Sequence, residues 1–143
     1  MFGKKRVYMD HASATLIDQR VAEAVVDALL RFPGNPSAPH AEGREARAAV
    51  SAARADVARS FSVKPEEILF TSGGTEANNI AIHGFLKALG ERGVEHENMH
   101  VITTAIEHSS VLKTTQALEK KGIRVSYITP EKDGIVRPEM FVN

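Results

Sequence analysis

One stretch limits what this chain can fold into more than any other: residues 68–79, Ile-Leu-Phe-Thr-Ser-Gly-Gly-Thr-Glu-Ala-Asn-Asn. The apolar run Ile68, Leu69, Phe70 predicts a short buried strand, and after Thr71, Ser72, Gly73 and Gly74 an amphipathic helix is expected from Thr75. A glycine turn feeding a helix start is a socket for an anion. Two glycines let the backbone turn sharply and keep Cβ atoms away from a ligand, while the first helical N–H groups lack intrahelical acceptors and sit at the positive end of the helix dipole. A phosphate satisfies several such donors at once, and the hydroxyls of Ser72 and Thr75 offer two more. Locally the pattern fits two readings: a phosphate site, or a capped strand-to-helix turn with an acidic first turn.

Composition narrows the class. The chain has 143 residues, enough for one domain, and a net charge of zero from 18 basic and 18 acidic side chains, so no electrostatic footprint for nucleic acid or an anionic membrane is expected. There are no cysteines, which excludes disulfides, thiolate metal sites and a cysteine nucleophile within this polypeptide. The basic start at residues 1–6 runs into Val7, Tyr8, Met9 and Asp10 instead of an apolar signal core, and no apolar run reaches membrane-spanning length. The expectation is a cytoplasmic protein with neither nucleic-acid nor membrane partners.

Along the chain, residues 7–15 read as an extended or turn segment. Val21, Ala24, Val25, Ala28, Leu29 and Phe32 recur at helical spacing, with Asp18 as the cap and Pro33-Gly34 as the stop. Two prolines and three turn-formers make residues 34–40 a rigid loop. A long helix is expected from about Ala41 to Phe61, with Ala46, Ala49, Val50, Ala53, Val57 and Phe61 inward and its arginines on a solvated or interface face. The helix from Thr75 is read with Ala77, Ile80, Ala81, Gly84, Phe85 and Ala88 inward and a break near Gly90. Residues 91–98 are a polar loop, and 100–104 a strand leading into Glu107-His108. A helix from Ser109 keeps Val111, Leu112, Thr115 and Leu118 on one face, and Ile123, Val125 and Tyr127 alternate as a third strand. A further helix start is read near Pro138. Strand–helix–strand–helix–strand order over residues 67–128 argues for βαβ units and a mainly parallel sheet with flanking helices. Ligands gather beyond the carboxyl ends of such strands, so the residues 72–75 turn and Glu107-His108 are expected at one sheet edge.

Four segments then show a resemblance. Residues 8–15, Tyr-Met-Asp-His-Ala-Ser-Ala-Thr, come first, then Gly34-Asn35-Pro36-Ser37 with His40, Gly43 and Ala46-Arg47. Phe70-Thr71-Ser72-Gly73-Gly74-Thr75-Glu76 with Asn79 follows, and Glu107-His108 with Val111 closes the series. In this order and spacing they resemble the cysteine desulfurases of the class V aminotransferase group of pyridoxal-phosphate enzymes. Ala14 stands where the family usually has threonine, and Leu16 where proline is frequent. The resemblance implies the type I pyridoxal-phosphate-dependent transferase fold: an α/β large domain with a mainly parallel sheet, a smaller domain, and a homodimer. Residues 1–15 are then an N-terminal segment packing on the large or small domain, and residues 16–143 the N-terminal part of the cofactor-binding large domain. It also implies pyridoxal 5'-phosphate as cofactor, held at its phosphate by Gly73, Gly74 and Thr75. His108 stacks on the pyridine ring and serves as a catalytic proton carrier, chemistry that a flat imidazole titrating near neutrality can perform. The loop at Asn35, Pro36 and Ser37 resembles a segment near the active-site entrance and dimer contact.

The implied reaction takes L-cysteine to L-alanine and leaves sulfur as an enzyme persulfide for iron–sulfur cluster or thiolation pathways, by way of a sulfur-acceptor protein. In the family the Schiff-base lysine, the acid facing the pyridine nitrogen and the persulfide cysteine come later than this sequence extends. Lys64, Lys87, Lys113, Lys120, Lys121 and Lys132 match no motif position. The chain alone is therefore expected to be inactive, an N-terminal portion that works as a homodimer or with a complementing C-terminal portion. A partial parallel sheet predicts self-association or a covering partner. Three other readings stay open at this point: another class V enzyme such as a selenocysteine lyase or a true aminotransferase, a non-catalytic split partner chain, and an unrelated phosphate-binding α/β module. His96 and His100 straddle a loop-to-strand join with no third ligand nearby, so no metal is expected, and no Walker lysine or Gly-x-Gly-x-x-Gly supports a nucleotide.

Overall fold

Asp18 begins the first helix because its carboxylate accepts the Arg20 amide at 2.9 Å, filling one of the donors that a helix start leaves open. In the computed structural model, which describes residues 7–142, this helix is α1, Gln19–Arg31. None of its residues is buried, and its apolar stripe Val21, Val25 and Leu29 is exposed. The chain divides into two units, Met1–Leu69 and Phe70–Asn143. The expected segment 1–15 falls in the first, and its residues 1–6 lie outside the described residues, as does Asn143.

In the first unit, Pro33 ends α1 and the rigid loop leads to α2, Ala41–Phe61, capped by His40. The loop is locked onto α2 from several directions. Arg47 donates to the carbonyls of Pro36 (2.8 Å) and Ala38 (3.0 Å), while the Asn35 side chain accepts the Ser37 amide at 2.9 Å. Gly43 is required by this approach, since a Cβ there would collide with the Ala38 carbonyl and lie 2.8 Å from that of Asn35. The arginine read as a solvated or interface group is thus the clasp of the loop. The buried residues of α2 are Gly43, Ala46 and Ala58, whereas Val50 and Phe61, expected inward, are exposed. Ser62 ends α2 in a left-handed conformation, and a short 3-10 turn, Pro65–Glu67, follows.

The second unit carries the sheet. Helix α3 spans Gly74–Glu91, strand β1 His100–Thr104, helix α4 Ser109–Glu119 and strand β2 Arg124–Ile128. The strands pair in parallel with His100 opposite Arg124 and Thr104 opposite Ile128, the arrangement that a crossover helix between them demands. The expected strand at residues 68–70 does not join this sheet. Among the described residues the sheet holds β1 and β2 alone, and Leu69 and Phe70 are 63% and 47% exposed. The division between the units runs through this apolar run.

The core of the unit is Leu86, Met99, Leu118 and Ile123, with Ile82, Leu89, Val94 and Val101 packed against it. The inward stripe of α3 is therefore Ile82, Leu86 and Leu89, rotated from the expected stripe, and Phe85 is 67% exposed. Both stripes have helical period, and contact with Met99 and Leu118 selects one of them. On α4 the expected face is met by Thr115 and Leu118, joined by Ser110 and Thr114. Beyond β2, Arg137 pairs with Glu131 and Asp133 ahead of a 3-10 turn at Pro138–Phe141, where the sequence predicts a helix start.

Leu118→Ala empties the centre of this cluster and is expected to lower stability by about 2–5 kcal/mol in urea unfolding followed by circular dichroism. Gly43→Ala forces the loop off α2, so proteolytic cleavage at residues 34–40 should accelerate while the far end of α2 stays protected.

Candidate functional site

The start of α3 is built without a side-chain cap. Gly73 is the N-cap residue, and the first intrahelical bond runs from the Ala77 amide to the Gly73 carbonyl at 3.1 Å. The amides of Gly74, Thr75 and Glu76 precede that bond, so they point out of the helix end as donors. Nothing lies within 4 Å of where a Cβ would stand at Gly73 or Gly74. Among the described residues no contact asks for glycine at either position.

Ser72 does not contribute in the way its hydroxyl suggested. Its amide donates to the Glu76 carboxylate at 2.6 Å. That bond, assisted by the Ser72 hydroxyl, holds the Glu76 carboxyl below its ordinary range. The Thr71 hydroxyl donates to the Gly73 carbonyl at 3.2 Å, which pins the turn from the other side. The amides at the start of α3 remain open, and Thr75 beside them is exposed.

His108 is the N-cap of α4, four residues beyond the end of β1. Its Nδ1 accepts the Ser110 amide at 3.1 Å and lies 2.8 Å from the Ser110 hydroxyl, and the ring is exposed. Glu107 beside it is held by the Thr104 hydroxyl at 2.9 Å. His108 thus lies beyond a strand's carboxyl end, as expected, but the residue 72–75 turn follows no strand of the sheet. What ties the two together is helix against helix. Asn78 donates to the Ser110 hydroxyl at 2.8 Å, and the Thr114 hydroxyl donates to Asn79 at 2.9 Å. Asn79 in turn donates to the Thr75 carbonyl at 2.8 Å. Asn78 stands four residues after Gly74, about one helical turn or 6 Å along the axis. A groove of about 350 Å³ along this seam is lined by Thr75, Asn79, His83, Ser110, Lys113 and Thr114, among others.

Asn78, Ser110 and Thr114 were not singled out in the sequence. The available signal was the Asn78-Asn79 pair in an otherwise apolar helical run, because asparagine is a poor helix former whose amide does best with a fixed partner.

Solved structures share this architecture. A NifS-like protein superposes with a TM-score of 0.81 at 35% identity, covering 95% of this chain and 36% of its own. DndA from Streptomyces lividans gives a TM-score of 0.74 at 39% identity, over 95% of this chain and 37% of that one. SspA, solved in complex with cysteine, gives 0.78 at 36% identity, over 94% and 37%. The class is that of the α/β, NifS-like fold of pyridoxal-phosphate enzymes, represented here by part of its large domain. Residues 7–142 match the Aminotransferase class-V family, and the chain belongs to it. Among curated relatives, cysteine desulfurase IscS of Dictyoglomus turgidum is 41% identical over 136 residues, which are 95% of this chain and 33% of the relative. IscS of Stutzerimonas stutzeri is 43% identical over 140 residues, 96% of this chain and 33% of the relative. The chain spans about a third of the length of the relatives it matches. The cofactor of these enzymes is pyridoxal phosphate. No helix among the described residues is long and apolar enough to cross a membrane.

Because its folded-state pKa is depressed, the Glu76 carboxylate stabilises the turn above the ordinary glutamate pKa, and this contribution disappears as pH falls through the lower folded value. Hydrogen exchange at the Ser72 amide should therefore speed up on acidification beyond the intrinsic trend. Glu76→Gln should remove that pH dependence.

Proposed function

We propose that this chain is the cofactor-phosphate-binding N-terminal part of a pyridoxal-phosphate-dependent cysteine desulfurase. One observation carries the reading. At the start of α3 a bare Gly73-Gly74 turn leaves outward amides and the Thr75 hydroxyl open, and the same helix end is bonded to the segment bearing His108. The donor set fits a dianionic phosphate ester: amides at a positive helix end, one hydroxyl, and no side chain in the way. A bare helix end would be a common feature. Its coupling to an exposed imidazole, within a family whose curated relatives are desulfurases, makes it specific.

In this reading Gly73, Gly74 and Thr75 grip the phosphate, and the Thr75 hydroxyl supplies a charge-assisted bond. His108 is the catalytic residue of this portion; it offers a flat face to the cofactor ring and a nitrogen that carries a proton near the reacting atoms. When bound, pyridoxal phosphate supplies an electron sink for bond cleavage at the substrate amino acid. L-cysteine is the proposed substrate, supported by the names of the curated relatives and by the cysteine held in the solved SspA. The products are L-alanine and a persulfide sulfur passed to an acceptor protein for iron–sulfur cluster assembly. The chain contains no cysteine, and none of its lysines falls in a family motif, so turnover requires a lysine and a thiol from outside these residues. By itself the chain is inactive. Its partners are a second copy or a complementing C-terminal portion, a requirement supported by the exposed apolar stripe of α1. A cytoplasmic location accompanies this reading.

Equilibrium dialysis tests it. Pyridoxal 5'-phosphate should bind in competition with inorganic phosphate, and pyridoxal, lacking the ester, should bind far more weakly. Thr75→Val should cost about 10- to 100-fold in affinity, the range set by losing one hydrogen bond to a charged acceptor, about 1.5–3 kcal/mol. Equal binding of pyridoxal and its phosphate, or an unchanged Thr75→Val variant, would remove the phosphate grip. Equal binding of phosphate esters lacking a pyridine ring would remove the role of His108.

A further inference from the structure

The bonds around His108 can be assigned a direction, and the direction decides which face of its chemistry the ring presents. The Ser110 backbone N–H can only donate, so Nδ1 of His108, 3.1 Å away, must accept. The Ser110 hydroxyl lies 2.8 Å from the same nitrogen, and with Nδ1 unprotonated it is the donor of that pair, sharing the one lone pair with the backbone N–H. That commits the hydroxyl's one proton. The Asn78 group facing Ser110 Oγ at 2.8 Å must then be the amide nitrogen, the only remaining donor. The chain of donors runs one way, from Asn78 through Ser110 to His108. A proton on Nδ1 would oppose the Ser110 backbone N–H, which α4 fixes in place, and would require the Ser110 hydroxyl to turn from donor to acceptor.

We propose that Asn78 and Ser110 are positioning residues that hold His108 in the neutral tautomer protonated at Nε2, so that the ring meets its ligand as a hydrogen-bond donor through Nε2. Resting on the reading of His108 as the cofactor-facing group, this defines what that group can do. Nε2 is the outward nitrogen and has no partner among the described residues. A donor there selects an acceptor opposite it, an anionic or carbonyl oxygen or an unprotonated nitrogen, and lets the neutral ring deliver a proton. Taking one up at Nδ1 would first require breaking the Ser110 backbone bond and turning the Ser110 hydroxyl. Ser110 is 7% exposed, so water competes poorly for the relay, and successive hydrogen bonds in one direction polarise each other. The relay begins on α3 one turn beyond Gly74, so the helix that forms the proposed phosphate grip also sets the tautomer of the ring beside it.

Nitrogen-15 NMR of the histidine rings, recorded on the chain without cofactor at a pH where the imidazole is neutral, reads the tautomer directly. In the wild type, Nδ1 of His108 should show the shift of an unprotonated nitrogen and Nε2 that of a protonated one. Ser110→Ala removes the hydroxyl donor but keeps the backbone bond. Asn78→Asp, nearly isosteric, offers an acceptor and draws the Ser110 proton away from the ring. Each should raise the population protonated at Nδ1 several-fold, while Ser109→Ala, an exposed neighbour, should not. A role confined to helix capping predicts no change in any variant, since the backbone bond persists. A wild-type ring protonated at Nδ1, or variants with the wild-type ratio, would overturn the proposal. If one variant fails to fold, the wild-type spectrum and the other variant still decide. Loss of pyridoxal phosphate binding with the tautomer pattern intact would defeat the cofactor reading alone, and a mixed tautomer with binding intact would defeat the relay alone.

Discussion

Two hydrogen bonds between helices, Asn78 to Ser110 and Thr114 to Asn79, register the beginning of α3 against the beginning of α4, and the candidate site depends on that register. Neither helix start is fixed by the other through the sheet. The turn at residues 72–75 follows an extended segment outside the β1–β2 pair, whereas His108 follows β1. Side chains near the helix ends therefore do the work that adjacent strands do in an open parallel sheet. The bonds are sheltered, with Ser110 and Thr114 buried, and a buried polar group without its partner would be costly. That asymmetry makes the pairing specific: sliding α4 along α3 by one turn would strand a buried hydroxyl on one helix and an amide on the other.

Beneath this polar seam the apolar cluster of Leu86, Met99, Leu118 and Ile123 holds the same helices against the strand pair. Seam and cluster divide the task. Burial of aliphatic side chains supplies non-directional stability, and the amide and hydroxyl pairs choose one arrangement from those that burial alone would tolerate. The first unit follows the same logic on a smaller scale. Alanines give α2 a close-packing face, and Arg47 fixes the loop it carries through two backbone carbonyls.

Much apolar surface stays open, including Val21, Val25 and Leu29 on α1, Leu69 and Phe70 at the junction of the units, and Phe85 on α3. Parallel sheets are normally covered on both faces and extended by further strands. The chain spans about a third of the length of its curated relatives. On α3 the inward face is Ile82, Leu86 and Leu89 instead of the expected stripe, and on α1 the amphipathic stripe stands exposed.

What the sequence determined by itself is what local chemistry controls. Asp18 begins α1 because a carboxylate fills an open helix donor, Pro33 stops it, alternation at Val125 and Tyr127 makes a strand, and Gly73-Gly74 before an acidic turn opens α3. Motif spacing carried the family and the identities of the candidate residues. Only tertiary structure decided which of two equally periodic faces of α3 turns inward, because that depends on Met99 and Leu118, distant in sequence. It also decided that residues 68–70 stay outside the sheet, since strand pairing is a contact between segments and not a property of one. And it brought Asn78 of α3 to the Ser110 hydroxyl, which lies against Nδ1 of His108, a link between segments about thirty residues apart that neither sequence segment announces.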